Sequence, residues 1–117
     1  MEVHAITKNV RMSAQKMREV VRQIQGLPAL QAQAVLAVVP RKGARLVAKT
    51  LKSAVANAED LKEHKKEYNG MRTDRLVVKE AVAQTASTIR RFTPKARGSA
   101  GPILKRSCHI KIVLSDE

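Results

Sequence analysis

The stretch from Ala81 to Ser115 most constrains the fold, because it holds seven Lys and Arg side chains and no Asp or Glu. Its ends are rich in Val and Ile, whereas its middle is rich in Gly, Pro and Ser. Uncompensated like charges repel one another and raise the free energy of a compact state. The sequence therefore predicts a projecting basic arm whose balancing negative charge comes from outside the chain.

The whole chain is also basic, with 23 Lys and Arg against 10 Asp and Glu and a formal net charge of +13 over 117 residues. This length favours a single domain with one modest core, and the charge makes nucleic acid the leading class of partner. Tyr68 and Phe92 are the only aromatic residues, whereas proteins that read single strands stack bases on such rings. We therefore expect a folded RNA, recognised through phosphates, ribose hydroxyls and shape.

Export and membrane insertion are not predicted. Cys108 is the single cysteine, so an internal disulfide framework is excluded. The first residues lack the charged and apolar regions of a signal peptide. The longest aliphatic run, from Ala34 to Val39, is far shorter than the roughly 18 residues of a membrane-spanning helix. A cytosolic protein is the expectation.

Apolar spacing predicts three helices. Ser13 is placed to cap a first helix that runs to Gln25, with Lys16, Arg18 and Arg22 off its apolar stripe. A second helix covers residues 29–39, before a proline that cannot continue it. The third is the clearest, because apolar residues recur at three-to-four spacing over residues 44–58 while Lys and Arg occupy other faces.

Three strands are predicted at residues 3–10, 76–84 and 108–114, and in the last of these Val113 breaks the alternation of apolar and polar residues. Residues 62–74 are expected to form a frayed helix end and a loop. If the last two strands pair antiparallel, the chain between them becomes a hairpin that could reach roughly 35 Å. Such an arm has no buried face, so we expect its tip to be mobile alone and ordered by its partner.

Enzyme and metal sites are poorly supported. Ser13 and Lys16 match the S-x-x-K spacing of serine acyl-transferring enzymes, but the companion motifs of those enzymes are missing. The three histidines share no metal-ligand spacing, and Cys108 and His109 should point to opposite faces of a strand. The glycines near position 100 lack the context of a phosphate-binding loop. No catalytic residue, metal or cofactor is predicted.

Three segments in order carry a resemblance to a known family. They read RMSAQKMR at 11–18, LKSAVANAE at 51–59, and FTPKARG at 92–98 followed by RSCHI at 106–110. Together they strongly resemble the large ribosomal subunit protein twenty-two family, in its bacterial or organellar form, over nearly the whole chain. The resemblance implies an α+β fold of three helices packed on a small three-stranded antiparallel sheet, with a long protruding β-hairpin.

The resemblance also implies a function. Members of that family are non-catalytic structural constituents of the large ribosomal subunit that bind and clamp its ribosomal RNA during assembly. Their hairpin lines the nascent-peptide exit tunnel. The implied partners are large-subunit ribosomal RNA, neighbouring ribosomal proteins and the nascent polypeptide that passes the hairpin tip. Charge alone leaves a nucleoid-type basic DNA-binding protein as the alternative.

Charge and resemblance together define the predicted site, within one domain of residues 1–117 whose hairpin spans about 84–106. The residues expected to bind ribosomal RNA are Lys8, Arg11, Lys16, Arg18, Arg22, Arg90, Arg91, Lys95, Arg97, Gly98, Lys105, Arg106 and Lys111. The tip residues expected to face the tunnel are Lys95, Ala96, Arg97, Gly98 and Ser99. Ala14 stands where the family often has proline, and the charged loop at 62–75 is longer than is common.

Overall fold

The computed structural model describes residues 2–116, which form three α-helices and five strands. The helices are α1 (Ala14–Val21), α2 (Ala29–Val38) and α3 (Lys42–His64). The strands are β1 (Glu2–Val10), β2 (Val77–Thr85), β3 (Ile89–Pro94), β4 (Ala100–Lys105) and β5 (Cys108–Ser115). The predicted α+β fold, with three helices and a hairpin, is confirmed.

A three-stranded antiparallel sheet in the order β1-β5-β2 forms the centre of the body. One face of β5 is completely buried under the helices, and it consists of Cys108, Ile110, Ile112 and Leu114. The helices α1 and α3 both contact this sheet, whereas α2 packs mainly on α3. Val113 lies on the other face, where it pairs with His4 of β1 and Glu80 of β2. The irregular position therefore lies on the sheet face opposite the helices, which we call the open face, although Val113 itself is buried there.

The first helix is shorter than predicted, because α1 ends at Val21 rather than Gln25. The chain then turns at Gly26, whose φ is +81° and whose N–H donates a hydrogen bond of 2.8 Å to the carbonyl of Val78. Ile24 remains buried within this turn. Ser13 does precede the helix, but its side chain makes no capping hydrogen bond, so that part of the prediction is wrong.

Close packing brings the start of α3 against α1. A Cβ atom at Gly43 would lie 3.2 Å from side-chain atoms of both Met12 and Met17, so even alanine would require these side chains to shift by a few tenths of an ångström. On the same helix, Thr50 donates a hydrogen bond of 3.0 Å to the carbonyl of Leu46. Its oxygen lies 2.8 Å from the hydroxyl of Thr7, which must then be the donor, since a hydroxyl has one hydrogen.

The segment between α3 and β2 is anchored in the core. It contains two short 3-10 turns, Lys66–Tyr68 and Thr73–Arg75, and Met71 between them is buried. The sequence predicted a frayed helix end and a loop here. The helix does end within this segment, at His64, and the buried side chain of Met71 anchors the loop that follows to the body.

The strands β3 and β4 form a separate antiparallel hairpin of six residue pairs, from Ile89 with Lys105 to Pro94 with Ala100. Every side chain of β3 except Thr93 is exposed. The molecule measures 67 × 28 × 16 Å and has a radius of gyration of 17.7 Å, whereas a compact chain of this length would have about 13 Å. We call residues 89–105 the arm.

Candidate nucleic-acid interface

The arm presents its cations without internal compensation. Those cations are exposed: Arg90, Arg91, Lys95, Arg97 and Lys105. None of the ion pairs found among residues 2–116 includes any of them. Within the body, by contrast, the guanidinium of Arg41 lies 2.7 Å from the carboxylate of Glu19. The arm is therefore the part of the described chain whose positive charge is least compensated by acidic side chains.

The turn at the tip places two successive residues in the left-handed region. Arg97 has a φ of +61° and Gly98 a φ of +73°, and glycine adopts this conformation at little cost whereas arginine does not. The N–H of Lys95 donates a hydrogen bond of 2.6 Å to the carbonyl of Ser99. The hydroxyl of Ser99 donates one of 2.8 Å to the carbonyl of Ala96. All five predicted tip residues thus lie in one tight exposed turn.

A first cleft, of about 480 Å³, lies where the arm meets the body. Five cations from different parts of the chain line it, and no acid does: Arg11, Lys16, Lys42, Lys105 and Arg106. Two hydrogen bonds hold these segments together. The guanidinium of Arg11 donates to the carbonyl of Arg106 over 2.9 Å, and the ammonium of Lys42 donates to the carbonyl of Arg11 over 3.4 Å.

These two bonds matter electrostatically because their acceptors are backbone carbonyls. A carbonyl oxygen satisfies an N–H donor but carries no net charge, so the positive charge of the cleft remains. A carboxylate in the same place would have cancelled it. The first cleft is thus ordered by its own backbone and still suited to a phosphate group.

A second cleft, of about 360 Å³, shares Ser13 and Arg106 with the first. Arg18 also lines it, together with hydroxyl groups of Ser13, Thr85, Thr88 and Ser107. The Nε of Arg18 donates 3.1 Å to the carbonyl of Ala83 at the end of β2. The hydroxyl of Ser107 is already used, because it donates to the carbonyl of Ser87. The guanidinium of Arg18 and the hydroxyls of Ser13, Thr85 and Thr88 are of the kind that contacts phosphate oxygens in nucleic-acid complexes.

The neck between body and arm is itself hydrogen-bonded. The N–H of Ala86 donates 3.1 Å to the carbonyl of Ser107, and the hydroxyl of Ser107 donates 2.6 Å to the carbonyl of Ser87. The two chain segments that lead into and out of the arm are therefore joined directly beside the second cleft.

The structure brings together five of the predicted residues at these clefts: Arg11, Lys16, Arg18, Lys105 and Arg106. Of the other eight, five lie on the arm beyond the clefts, and three lie outside both the arm and the clefts. Lys8 is exposed near a register shift of β1, Arg22 is exposed just after α1, and Lys111 is half-buried on the open face of the sheet between Ile6 and Val82.

Lys42 is the cleft residue that the sequence prediction missed. Its place depends on the close contact of Gly43 with α1, which joins residues far apart in the chain. A glycine at the start of an otherwise strong helical pattern was the available signal, because a glycine inside a helix often marks close packing.

Cys108 is a fully buried core residue. Burial raises the pKa of its thiol above the ordinary value, and the nearby charge of Arg18 acts in the opposite direction without reversing the shift. His109 points to the other face of β5, where its Nδ1 accepts a hydrogen bond of 3.1 Å from the N–H of Asn9. The pair therefore does not form a joint nucleophilic site.

No helix within residues 2–116 combines the length and the apolar character that crossing a membrane requires. An α+β body, a basic arm without acids and two cationic clefts at its base are typical of a small protein of ribonucleoprotein particles.

Comparison with known proteins gives the family. The sequence profile of ribosomal protein L22p/L17e matches residues 5–115. The chain is 48% identical over 116 residues to large ribosomal subunit protein uL22 of Opitutus terrae, covering 99% of this chain and 96% of that protein. It is 48% identical to the uL22 protein of Akkermansia muciniphila, covering 100% and 98%, and 40% identical to that of Finegoldia magna, covering 99% and 97%.

The chain therefore belongs to the ribosomal protein L22 family, as the resemblance predicted. Members of this family are proteins of the large ribosomal subunit, so the protein is located on ribosomes in the cytoplasm.

Proposed function

We propose that this protein is a non-catalytic structural constituent of the large ribosomal subunit that clamps ribosomal RNA as a single domain, with its arm and with the two clefts at the base of the arm. The observation that supports this most strongly is the charge pattern. The cations of the arm and of the first cleft have no carboxylate partner among residues 2–116. Ribosomal RNA supplies phosphates at the density that such a surface requires.

The mechanism is charge neutralisation with limited geometric selection. Each phosphate that meets a Lys or Arg side chain releases condensed counterions, so the logarithm of the affinity falls by about 0.7 to 0.9 per contact for each tenfold rise in salt. Arg18 and Arg106 add forked donors that fit phosphate oxygens better than an ammonium does. The clefts fix the body on the RNA, and the arm extends the contact along it.

The tip of the arm is proposed to reach the wall of the nascent-peptide exit tunnel, with residues 95–99 facing the passing polypeptide. The small side chains of Ala96, Gly98 and Ser99 suit a surface that must leave space for a moving chain. Arg97 and Lys95 bind the RNA on either side of that surface. Neighbouring ribosomal proteins complete the set of partners, and no metal or cofactor takes part.

The test compares two variants that lose the same charge. One replaces Arg90, Arg91, Lys95 and Arg97 of the arm by Ala, and its control replaces the exposed Lys62, Lys65, Lys66 and Arg72. Binding to a large-subunit ribosomal RNA fragment is measured over a salt series, and incorporation into subunits by sedimentation. For the arm variant we expect the log-log salt slope to decrease by about 3 and incorporation to fall, whereas the control resembles the wild type.

Equal losses in both variants would contradict the assignment, since net charge rather than the arm would then govern binding. Duplex DNA of matched length serves as the competitor. If DNA competed as well as the ribosomal RNA fragment, the alternative of a nucleoid-type protein would be favoured instead.

A further inference from the structure

The second helix differs from the rest of the surface because α2 contains no charged residue in its ten positions. One side of it, with Ala29, Ala32 and Leu36, is buried. The opposite side exposes Leu30 by 78% and Val38 by 81%, with the exposed Ala34 and Ala37 between them. We call Leu30, Ala34, Ala37 and Val38 the outer stripe, since their spacing places them on one side of the helix.

A helix that packs on a protein body normally carries polar residues on its outward side, and a helix that is apolar all round is normally buried on all sides. α2 carries two polar residues, Gln31 and Gln33, which flank the outer stripe on either side, but the stripe between them has neither a polar residue nor a covering element among residues 2–116. Contiguous apolar surface of this kind marks an interaction site more often than it marks free surface. The outer stripe therefore requires an apolar partner surface.

A groove of about 660 Å³ continues the outer stripe towards α3. Its apolar part includes Val38, Val39 and Pro40. Its edge carries Arg45 and Lys42, which also lines the first cleft, and Arg41, whose charge is already paired with Glu19. An apolar floor beside a cationic edge selects a ligand that has apolar side chains next to negative charge.

We propose that the outer stripe and this groove bind a permanent protein neighbour on the large subunit, through a segment whose apolar side chains are flanked by Asp or Glu. This inference rests on the proposed function for its setting. The outer stripe offers no cation and no side-chain donor to a phosphate, so RNA is a poor occupant. A second copy of the chain is also unsuitable, because it would set the cationic edges of two highly positive molecules against each other.

A permanent neighbour fits better than a transient one. Permanent interfaces are more apolar than transient ones, which keep the polar character of ordinary surface. The outer stripe consists of aliphatic residues alone, and it would be exposed for most of the time if its partner came and went.

The first experiment places a photo-crosslinking amino acid at Val38 in one chain and at Arg91 of the arm in another, and each chain is assembled into large subunits. We expect the Val38 position to crosslink to a protein peptide that contains both apolar and acidic residues. The Arg91 position should crosslink to ribosomal RNA. A crosslink from Val38 to RNA, or none while Arg91 reacts, would overturn this inference and leave the proposed function intact. Failure at Arg91 as well would overturn both.

The second experiment tests the charge of the partner with Val38→Glu and Val38→Lys. In salt-washed subunits, the crosslinked neighbour should be depleted about tenfold by the Glu variant and less by the Lys variant, since a carboxylate repels the acids of the partner. Ile6→Glu is the control, because Ile6 is an exposed apolar residue on the open face of the sheet. Equal depletion by Glu and Lys, or by the control, would contradict an acidic partner at this position.

Discussion

The body and the arm both contain antiparallel strands, but different forces hold them. In the body, β5 buries a complete face under the helices, and charges are paired, as in Arg41 with Glu19 and Lys79 with Glu2. Lys79 holds the pKa of Glu2 below its ordinary value through a hydrogen bond and its charge. In the arm, neither strand has a buried face, and the cations lie apart from any acid.

The difference shows which parts of the chain can fold by themselves. Burial of apolar area stabilises the body regardless of any partner. A two-stranded hairpin in water is marginal on its own, and like charges along it make it less stable still. We therefore expect the arm to reach its final order only with a partner, whereas the body folds without one.

The test with the largest expected effect shortens an isoleucine side chain in each of the two regions. Ile110→Ala removes a fully buried side chain of β5 and should lower the free energy of unfolding by about 2–5 kcal/mol. Ile89→Ala removes an exposed side chain of β3 and should change it by less than about 0.5 kcal/mol. Urea denaturation of the free protein measures both. Similar losses would mean that the arm folds cooperatively with the body.

The tip offers a test with a smaller expected effect, since the left-handed backbone of Arg97 raises the free energy of the turn. Replacement by Gly should favour the turn by up to about 1 kcal/mol. The exchange of the Lys95 amide hydrogen, which is bonded to Ser99, should then slow by up to about fivefold. Asn9→Gly in the body is the control, because Asn9 has a φ of +57° and asparagine tolerates this region.

The Arg97→Gly variant should also bind ribosomal RNA more weakly despite its better turn, because it loses one cation. Faster exchange of the Lys95 amide would show that the Arg97 side chain stabilises the turn within the protein. Unchanged RNA binding would show that Arg97 makes no contact with RNA.

Sequence periodicity predicted the helices and the sheet because each of these elements buries one regular face. It failed where burial is irregular. Ile24 continues the apolar repeat of α1 but lies in the following turn, and Met71 is a buried residue in a charged loop. Charge predicted the arm, yet it could not predict that Lys42 joins the first cleft, since that depends on packing between residues distant in the chain.

The smallest expected effect is a dependence of stability on pH. It comes from Cys108, a buried group of the body, whereas the charges of the arm are solvated. Because burial raises the pKa of Cys108, the folded state keeps its proton at pH values where the unfolded thiol has lost it. Stability should therefore be unaffected by this group below the ordinary thiol pKa and should fall as pH rises above it, by at most about 1.4 kcal/mol per pH unit. The difference in unfolding free energy between the wild type and Cys108→Ala isolates this contribution, since every other titrating group is shared. A difference that stays constant from neutral to alkaline pH would mean that solvent reaches the thiol, and the burial of β5 beside the neck of the arm would then be less complete than its packing indicates.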